Sequence, residues 1–363
     1  MVSSSEGSLD TGSQPKSSVQ EERVALQLVE RYRAAIMEEL RSAVERRGIP
    51  PFTLMRYHLG WEDRHGSPIE GRGGKLLRPA LCLFCVEAMG GDWRRAVPAA
   101  AAVELLHNFT LIHDDVEDAS AHRHGRETLW RLWGEAQAIN VGDGMFALAH
   151  ITLLRLNEAD HPAERVLRAA QMLDEATLRL CEGQHRDLTA GEGDEMTCAE
   201  YLSMIEGKTA ALLAASSGIG ALLGGAPAET VDALYEFGRR TGLAFQIQDD
   251  VLGIWGDPEE TGKPAGDDLR AGKRSYPVIV AFERASAEQR AALQSLLAQR
   301  EPSDDDVQRT CALLEELGAR AESEQAAREH AEAAVESLAT LSLQTEHRHE
   351  LEQLARFAAQ RRS

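Results

Sequence analysis

The sequence predicts an all-α protein, built as a single large helical bundle around a central cavity. Apolar residues recur three and four apart over most of the chain after residue 22, the period of helices with one buried face. One short apolar run, 276–282, is ambiguous between helix and strand, and no second strand candidate exists to pair with it. No internal repeat or long linker divides the chain, so side chains that carry chemistry should project inward between packed helices.

Residues 1–22 are rich in Ser, Gly, Gln and charge and read as a disordered tail, leaving 23–363 as one domain. Val24, Leu26, Leu28, Val29, Tyr32, Ile36 and Leu40 give an amphipathic helix over 23–47, ended by Gly48-Ile-Pro-Pro. A loop over 60–74 feeds a helix over 75–89, which Gly90-Gly91 closes. The central helix follows at 94–118, then a basic, His-containing loop at 119–128. Segments 136–156 and 163–188 are helical by period, with Asp160-His-Pro between them. Two more long helices, 201–224 and 227–255, are separated by Gly-Gly-Ala-Pro, and 276–282 is read as helical. Ser303-Asp-Asp-Asp is an N-cap with an acidic first turn, and two or three Ala- and Glu-rich helices complete the chain.

With 363 residues, 43% of them hydrophobic, the chain can bury one large core or two modest ones. A net charge of −20 argues against nucleic acid and anionic membranes as partners. No stretch approaches the roughly 18 apolar residues of a membrane span, and no basic-plus-apolar leader is present, so a cytoplasmic protein without stable membrane insertion is expected. The five cysteines read as free thiols, and Cys82-x-x-Cys85 lies in an apolar run better suited to packing than to zinc or redox work.

Two acidic segments point to chemistry. In VELLHNFTLIHDDVED (103–118), Leu105, Leu106, Phe109, Ile112 and Val116 mark a buried face, and Asp114, Asp115, Glu117 and Asp118 crowd the end. Carboxylates four apart stack on one side of a helix, and acids are disfavoured at its negative C-terminal end. Alone, the cluster reads either as a solvated helix end or as a site for a hard divalent cation. A second apolar run far along the chain carries Asp249 and Asp250, followed by Lys263, Arg270, Lys273 and Arg274 in a Gly- and Pro-rich loop. Two carboxylate clusters with scattered bases suit a polyanion held through metal better than they suit salt bridges.

With GGKLLRP (73–79), ELLHNFTLIHDDVED (104–118), RHGRETLW (123–130), GKTAALL (207–213) and FQIQDDVLGIWGDPEETGKPAGDDLRAGKRS (245–275) in this order, the chain resembles the trans-isoprenyl diphosphate synthases of the polyprenyl synthetase family, from about Ala25 to the end. The resemblance implies the family's all-α fold (the type I isoprenoid synthase fold), usually a homodimer. It also implies Mg²⁺-dependent condensation of an allylic diphosphate with isopentenyl diphosphate. By the same resemblance, Asp114, Asp115 and Asp118 bind metal on one wall and Asp249 and Asp250 on the other. Lys208, Lys263 and Arg123 hold the allylic diphosphate, Thr209 and Gln246 line the developing carbocation, and Lys273 matches a further family lysine. Lys75, Arg78 and His107 match the isopentenyl diphosphate site, and Arg361 and Arg362 resemble a basic tail that closes over it.

Two positions depart from the family's pattern. His124 stands where the second Arg of an Arg-Arg pair is usual, and imidazole supplies no guanidinium fork, which weakens the expected grip on isopentenyl diphosphate. Gly253 stands where many members carry a third Asp. Phe109, five residues before Asp114, and the small Thr110 resemble the pocket floor of C20-producing members, so geranylgeranyl diphosphate is the favoured product, with farnesyl and C25 products open. Gly207-Lys208-Thr209 is not a P-loop, because position 202 is Leu. His113, His122 and His161 match no zinc spacing. Two alternatives stay open: a type I terpene cyclase or lyase that ionises an allylic diphosphate alone, and a non-catalytic subunit of a heteromeric synthase.

Overall fold

The structure, a computed structural model, describes residues 15–45, 48–69, 74–189, 196–261, 264–299 and 302–361. In chain order the helices begin with α1 (Pro15–Val44), α2 (Phe52–His58), α3 (Leu77–Ala88) and, after a 3₁₀ turn at Trp93–Ala96, α4 (Val97–Glu117). A two-strand hairpin, β1 (His122–Arg123) and β2 (Arg126–Glu127), leads into α5 (Leu129–Trp133), α6 (Glu135–Leu154) and α7 (Ala163–Thr189). Next come α8 (Cys198–Ile205), α9 (Ala211–Gly224), α10 (Ala228–Trp255) and the one-turn α11 (Pro258–Thr261) and α12 (Asp267–Arg270). The chain closes with α13 (Tyr276–Arg284), α14 (Ala287–Leu297), α15 (Asp304–Glu316), α16 (Ala319–Ser337) and α17 (Thr345–Gln360).

The all-α bundle is the predicted architecture. The centre is made by helices almost without polar residues on any face, α3 and the N-terminal half of α4, where Ala99 to Val103 are fully buried. Alanine there lets α4 lie close to α6, while α9, also small-residue-rich, packs against α3 and α10. One apolar cluster joins α1, α3, α4, α6, α7 and α9, and a second gathers α8, α10 and α13 to α16 around Ile247, Ile254, Ile279 and Leu314. The ambiguous run 276–282 is helical, and Ser303 caps α15 through a reciprocal capping box with Asp306. Among the described residues no helix is long and apolar enough to cross a membrane.

Three boundaries differ from the expectation. Helix α1 starts at Pro15, inside the expected tail, and Glu21 is already buried. The basic loop at 119–128 contains the only strand ladder among the described residues, pairing His122 with Glu127 and Arg123 with Arg126. The expected helix over 201–224 is interrupted by a π-helical turn, Glu206–Ala210. Such insertions displace side chains from the regular helical register and are frequent at functional sites.

Candidate active site

The first acidic wall is the C-terminal end of α4, held in place by its buried alanine half. Asp115 turns inward, 2% exposed, and accepts a hydrogen bond from Arg123 Nε at 2.8 Å. Asp114 and Asp118 face the opening. Burial pushes the Asp114 carboxyl up to about 6; the like charge of Asp118 adds to this and Lys208 opposes it. Arg123 is delivered by the hairpin, whose two-residue loop places His124 (φ +52°) and Gly125 (φ +74°) in the left-handed region, as a type I′ turn demands. Arg126 anchors that hairpin: it donates to the carbonyls of Tyr57 (2.7 Å) and Glu62 (2.8 Å) and lies over the Tyr57 ring.

The second wall is the last third of α10. Asp249 is exposed and ion-paired with Arg361. Asp250 is buried and enclosed: it accepts from the Tyr201 hydroxyl, the Tyr276 backbone N–H (3.1 Å) and Gln246 Nε2 (3.1 Å). Burial drives its carboxyl up to about 7 against these hydrogen bonds. Asp115 and Asp250 are thus enclosed by protein partners, while Asp114 and Asp118 lie toward the surface and Asp249 is exposed beside its partner Arg361.

Between the walls sits the π turn. It crosses α7 where two glycines meet; a Cβ on Gly207 would lie 2.4 Å from the Arg179 carbonyl oxygen, and one on Gly183 would lie 2.4 Å from the Lys208 nitrogen. This approach lets Lys208 Nζ reach Asp187 Oδ2 of α7 at 2.6 Å. Burial works against the Lys208 ammonium, but Asp114, Asp187 and Asp118 together raise its pKa. The next residue, Thr209, donates from its hydroxyl to Gln246 Oε1 at 2.8 Å, and Gln246 in turn donates to Asp250. Adjacent residues of one turn therefore serve the two acidic walls: Lys208 feels the charge of Asp114, and Thr209 is linked through Gln246 to Asp250.

A basic pocket lies beside the first wall. Arg78 Nη1 is 3.4 Å from His107 Nε2, and Arg78 Nε is buried without a hydrogen-bond partner. Burial and then Arg78, Arg123, His58 and His124 push the His107 imidazole well below its ordinary value. Glu104 is the balancing acid; burial lifts it to about 7, and Asn108 Nδ2 donates to it at 3.1 Å. Lys75 stands at the rim toward α10. Partial burial and Arg361 lower its pKa, against the pull of Asp249 and Glu22.

Lys273 joins the second wall, 3.2 Å from Asp268, and Asp268, Asp250 and Asp249 raise its pKa against its burial. Asp268 also explains Gly253: a Cβ there would be 2.1 Å from Asp268 Oδ2. The carboxylate absent from position 253 is replaced in space by one from α12. Lys263 and Arg362 lie outside the described residues. Phe109 is half-buried against Phe146 and His113, with ring centroids at 5.3 and 4.7 Å, and the Thr110 hydroxyl donates to the His107 carbonyl at 2.8 Å.

Sequence reasoning does not single out His58, Asp187, Tyr201 or Asp268. His58 and Asp187 are isolated in the sequence, and their partners come from other helices. Asp268 is adjacent to Asp267 within the Gly-Asp-Asp of a motif otherwise read for its lysines.

Among the described residues no three acidic or histidine side chains form a ready-made metal cage. The donors at the ends of α4 and α10 are carboxylate oxygens, a set that fits Mg²⁺, a cation that completes its sphere with water and phosphate.

A profile of the polyprenyl synthetase family matches residues 66–314. The (2E,6E)-farnesyl diphosphate synthase of Mycobacterium tuberculosis is 42% identical over 313 residues, covering 85% of this chain and 86% of that one. The geranylgeranyl diphosphate synthase of the same organism is 42% identical over 313 residues, covering 86% and 88%. The crystal structure of a polyprenyl synthetase from Streptomyces coelicolor A3(2) superposes with a TM-score of 0.86 at 40% identity, over 92% of this chain and 98% of that one.

Proposed function

We propose, for a chain that belongs to the polyprenyl synthetase family, that it is a Mg²⁺-dependent trans-prenyltransferase. It condenses an allylic diphosphate with isopentenyl diphosphate (1′-4), forming a carbon–carbon bond, breaking the allylic carbon–oxygen bond and releasing pyrophosphate and a proton. The observation that carries this reading is the pair Lys208–Thr209, one residue turned to Asp114 and the other linked to Asp250.

Asp114, Asp118 and Asp249 are the residues that would hold Mg²⁺, which when bound supplies Lewis-acid neutralisation of the leaving diphosphate. Asp115 fixes Arg123, and Asp250 fixes Gln246, so the inward acids of each pair act by positioning. Lys208 and Arg123, with Lys263 and Lys273, bind the allylic diphosphate. The Thr209 hydroxyl and Gln246 carbonyl turn their dipoles toward the carbon left electron-poor. Lys75, Arg78, His107 and His124 take the isopentenyl diphosphate, and the unpartnered Arg78 Nε supplies a donor already stripped of water. Buried helix faces on both sides exclude water from the reacting carbons.

Phe109 closes the pocket one and a half turns below Asp114, which favours a C20 product. Phe109→Ala is expected to lengthen the product, read by mass spectrometry. A homodimer is part of the reading: α6 and α7 turn Ile139, Ile151, Leu154, Leu167 and Leu178 outward, and His150–Asp174 ties the two helices together.

His124 at the turn tip favours a second reading, an allylic lyase or cyclase with a weakened second diphosphate site. Purified protein with Mg²⁺, geranyl or farnesyl diphosphate and labelled isopentenyl diphosphate separates the two. Label in a longer diphosphate is the expected outcome. Allylic substrate consumed without label uptake establishes the lyase, and neither event points to a non-catalytic subunit.

A further inference from the structure

The last described residue, Arg361, is placed with unusual care for a chain end. Its side chain is 4% exposed, its guanidinium lies 3.8 Å above the Phe245 ring and is ion-paired with Asp249, and its own carbonyl accepts from Gln248 Nε2 at 3.0 Å. Asp249 is half exposed and is the outward acid of the second wall. On the other side, Lys75 senses both Arg361 and Asp249, so the guanidinium stands between the second acidic wall and Lys75. Next to it, at the end of α10, is a cavity of about 250 Å³ lined by Gln248, Trp255, Arg320, Gln360 and Arg361 itself. Acidic Asp257, Glu260 and Glu324 line the same space.

A guanidinium ion-paired with a carboxylate competes with a metal for the same oxygens. We propose that Arg361 is an internal counter-ion for Asp249, displaced from it when a divalent cation binds there, and that its withdrawal couples metal loading to the diphosphate site beside Lys75. The inference rests on the reading of Asp249 as a metal ligand. It assigns to Arg361 a role distinct from contact with substrate: the arginine sets the threshold for metal, keeping the second wall neutralised when no metal is present.

The test is binding of Mn²⁺ without substrate, followed by electron paramagnetic resonance of the free ion and by calorimetry. Arg361→Met, which keeps the stacking bulk and removes the charge, should bind Mn²⁺ about fivefold more tightly, the scale of a partly exposed ion pair. Arg361→Lys should stay close to the parent protein. Should the Met variant lack a cooperative melt, a chain ending at Gln360 supplies the same comparison. Equal or weaker Mn²⁺ binding by the charge-free variants overturns the proposal. Asp249→Asn separates the two layers of inference. Weakened Mn²⁺ binding in it, with no gain in Arg361→Met, removes the counter-ion role and leaves the ligand standing. Unchanged Mn²⁺ binding in Asp249→Asn overturns both.

Discussion

At His58 the chain sets an imidazole against Arg123, His124 and Arg126 with only Asn108 to favour its charge, and burial followed by Arg123 pushes its pKa down to about 3. The consequence for stability has a definite sign. Between that value and the ordinary 6.5 the unfolded chain binds a proton that the native state refuses, so stability falls as pH drops below about 6.5. Exchanging His58 for Gln should flatten the acid side of the melting curve, recovering on the order of 1 kcal/mol at pH 5 by thermal melts at pH 7 and 5; identical pH profiles would refute this. Gly253 is the other single-residue lever. Because Asp268 fills the space of its missing side chain, Gly253→Ala should cost about 1–3 kcal/mol and lower turnover, although alanine is the better helix former. A more stable alanine variant in denaturant melts would refute the account. Neither effect is legible in the sequence. His58 and its neighbours in the pocket come from separate segments, and the departure at Gly253 has meaning only once α12 is folded back on α10.

At the scale of elements, the acidic ends of α4 and α10 are legible because each is local: apolar periodicity fixes the helix and the carboxylates follow on the same run. The enclosure of Asp250 is not, since Tyr201 and Tyr276 reach it from 49 and 26 residues away. The π turn is equally hidden. Its sequence reads as continuous helix, and it sits where Gly207 meets Gly183 of α7. Gly207→Ala should therefore do more than a surface Gly-to-Ala change. The two backbones must separate, carrying Lys208 away from Asp187 and Asp114, so the KM for the allylic diphosphate should rise at least tenfold, in steady-state kinetics, with a lowered Tm. Unchanged KM in a folded variant would show that the glycine contact does not aim the lysine.

At the scale of the whole molecule, the bundle class and the order of its long helices are legible, because Ala-rich and Leu-rich periods persist over 20 residues and more. What remains on the outside is informative. Leu167 and Leu178 on α7 are 68% and 66% exposed, and Asp174, seven residues after the first and four before the second, binds His150 of α6. These residues make one outward stripe at helical spacing, of the kind covered by a second copy in obligate dimers. Replacing both leucines by Glu is expected to shift sedimentation velocity from dimer toward monomer. A parent protein that sediments as a monomer at micromolar concentration would end this assignment.

One feature constrains how such a molecule can work at all. Since the Lys208–Asp187 and Thr209–Gln246 contacts come from residues joined by a single peptide bond, the spacing of α7 and α10 here is ruled by backbone geometry, as the jaws of a fixed calliper are. Swinging α7 away from α10 would break the Lys208–Asp187 ion pair or the Thr209–Gln246 hydrogen bond. Relative motion of α7 and α10 is therefore resisted at this one turn.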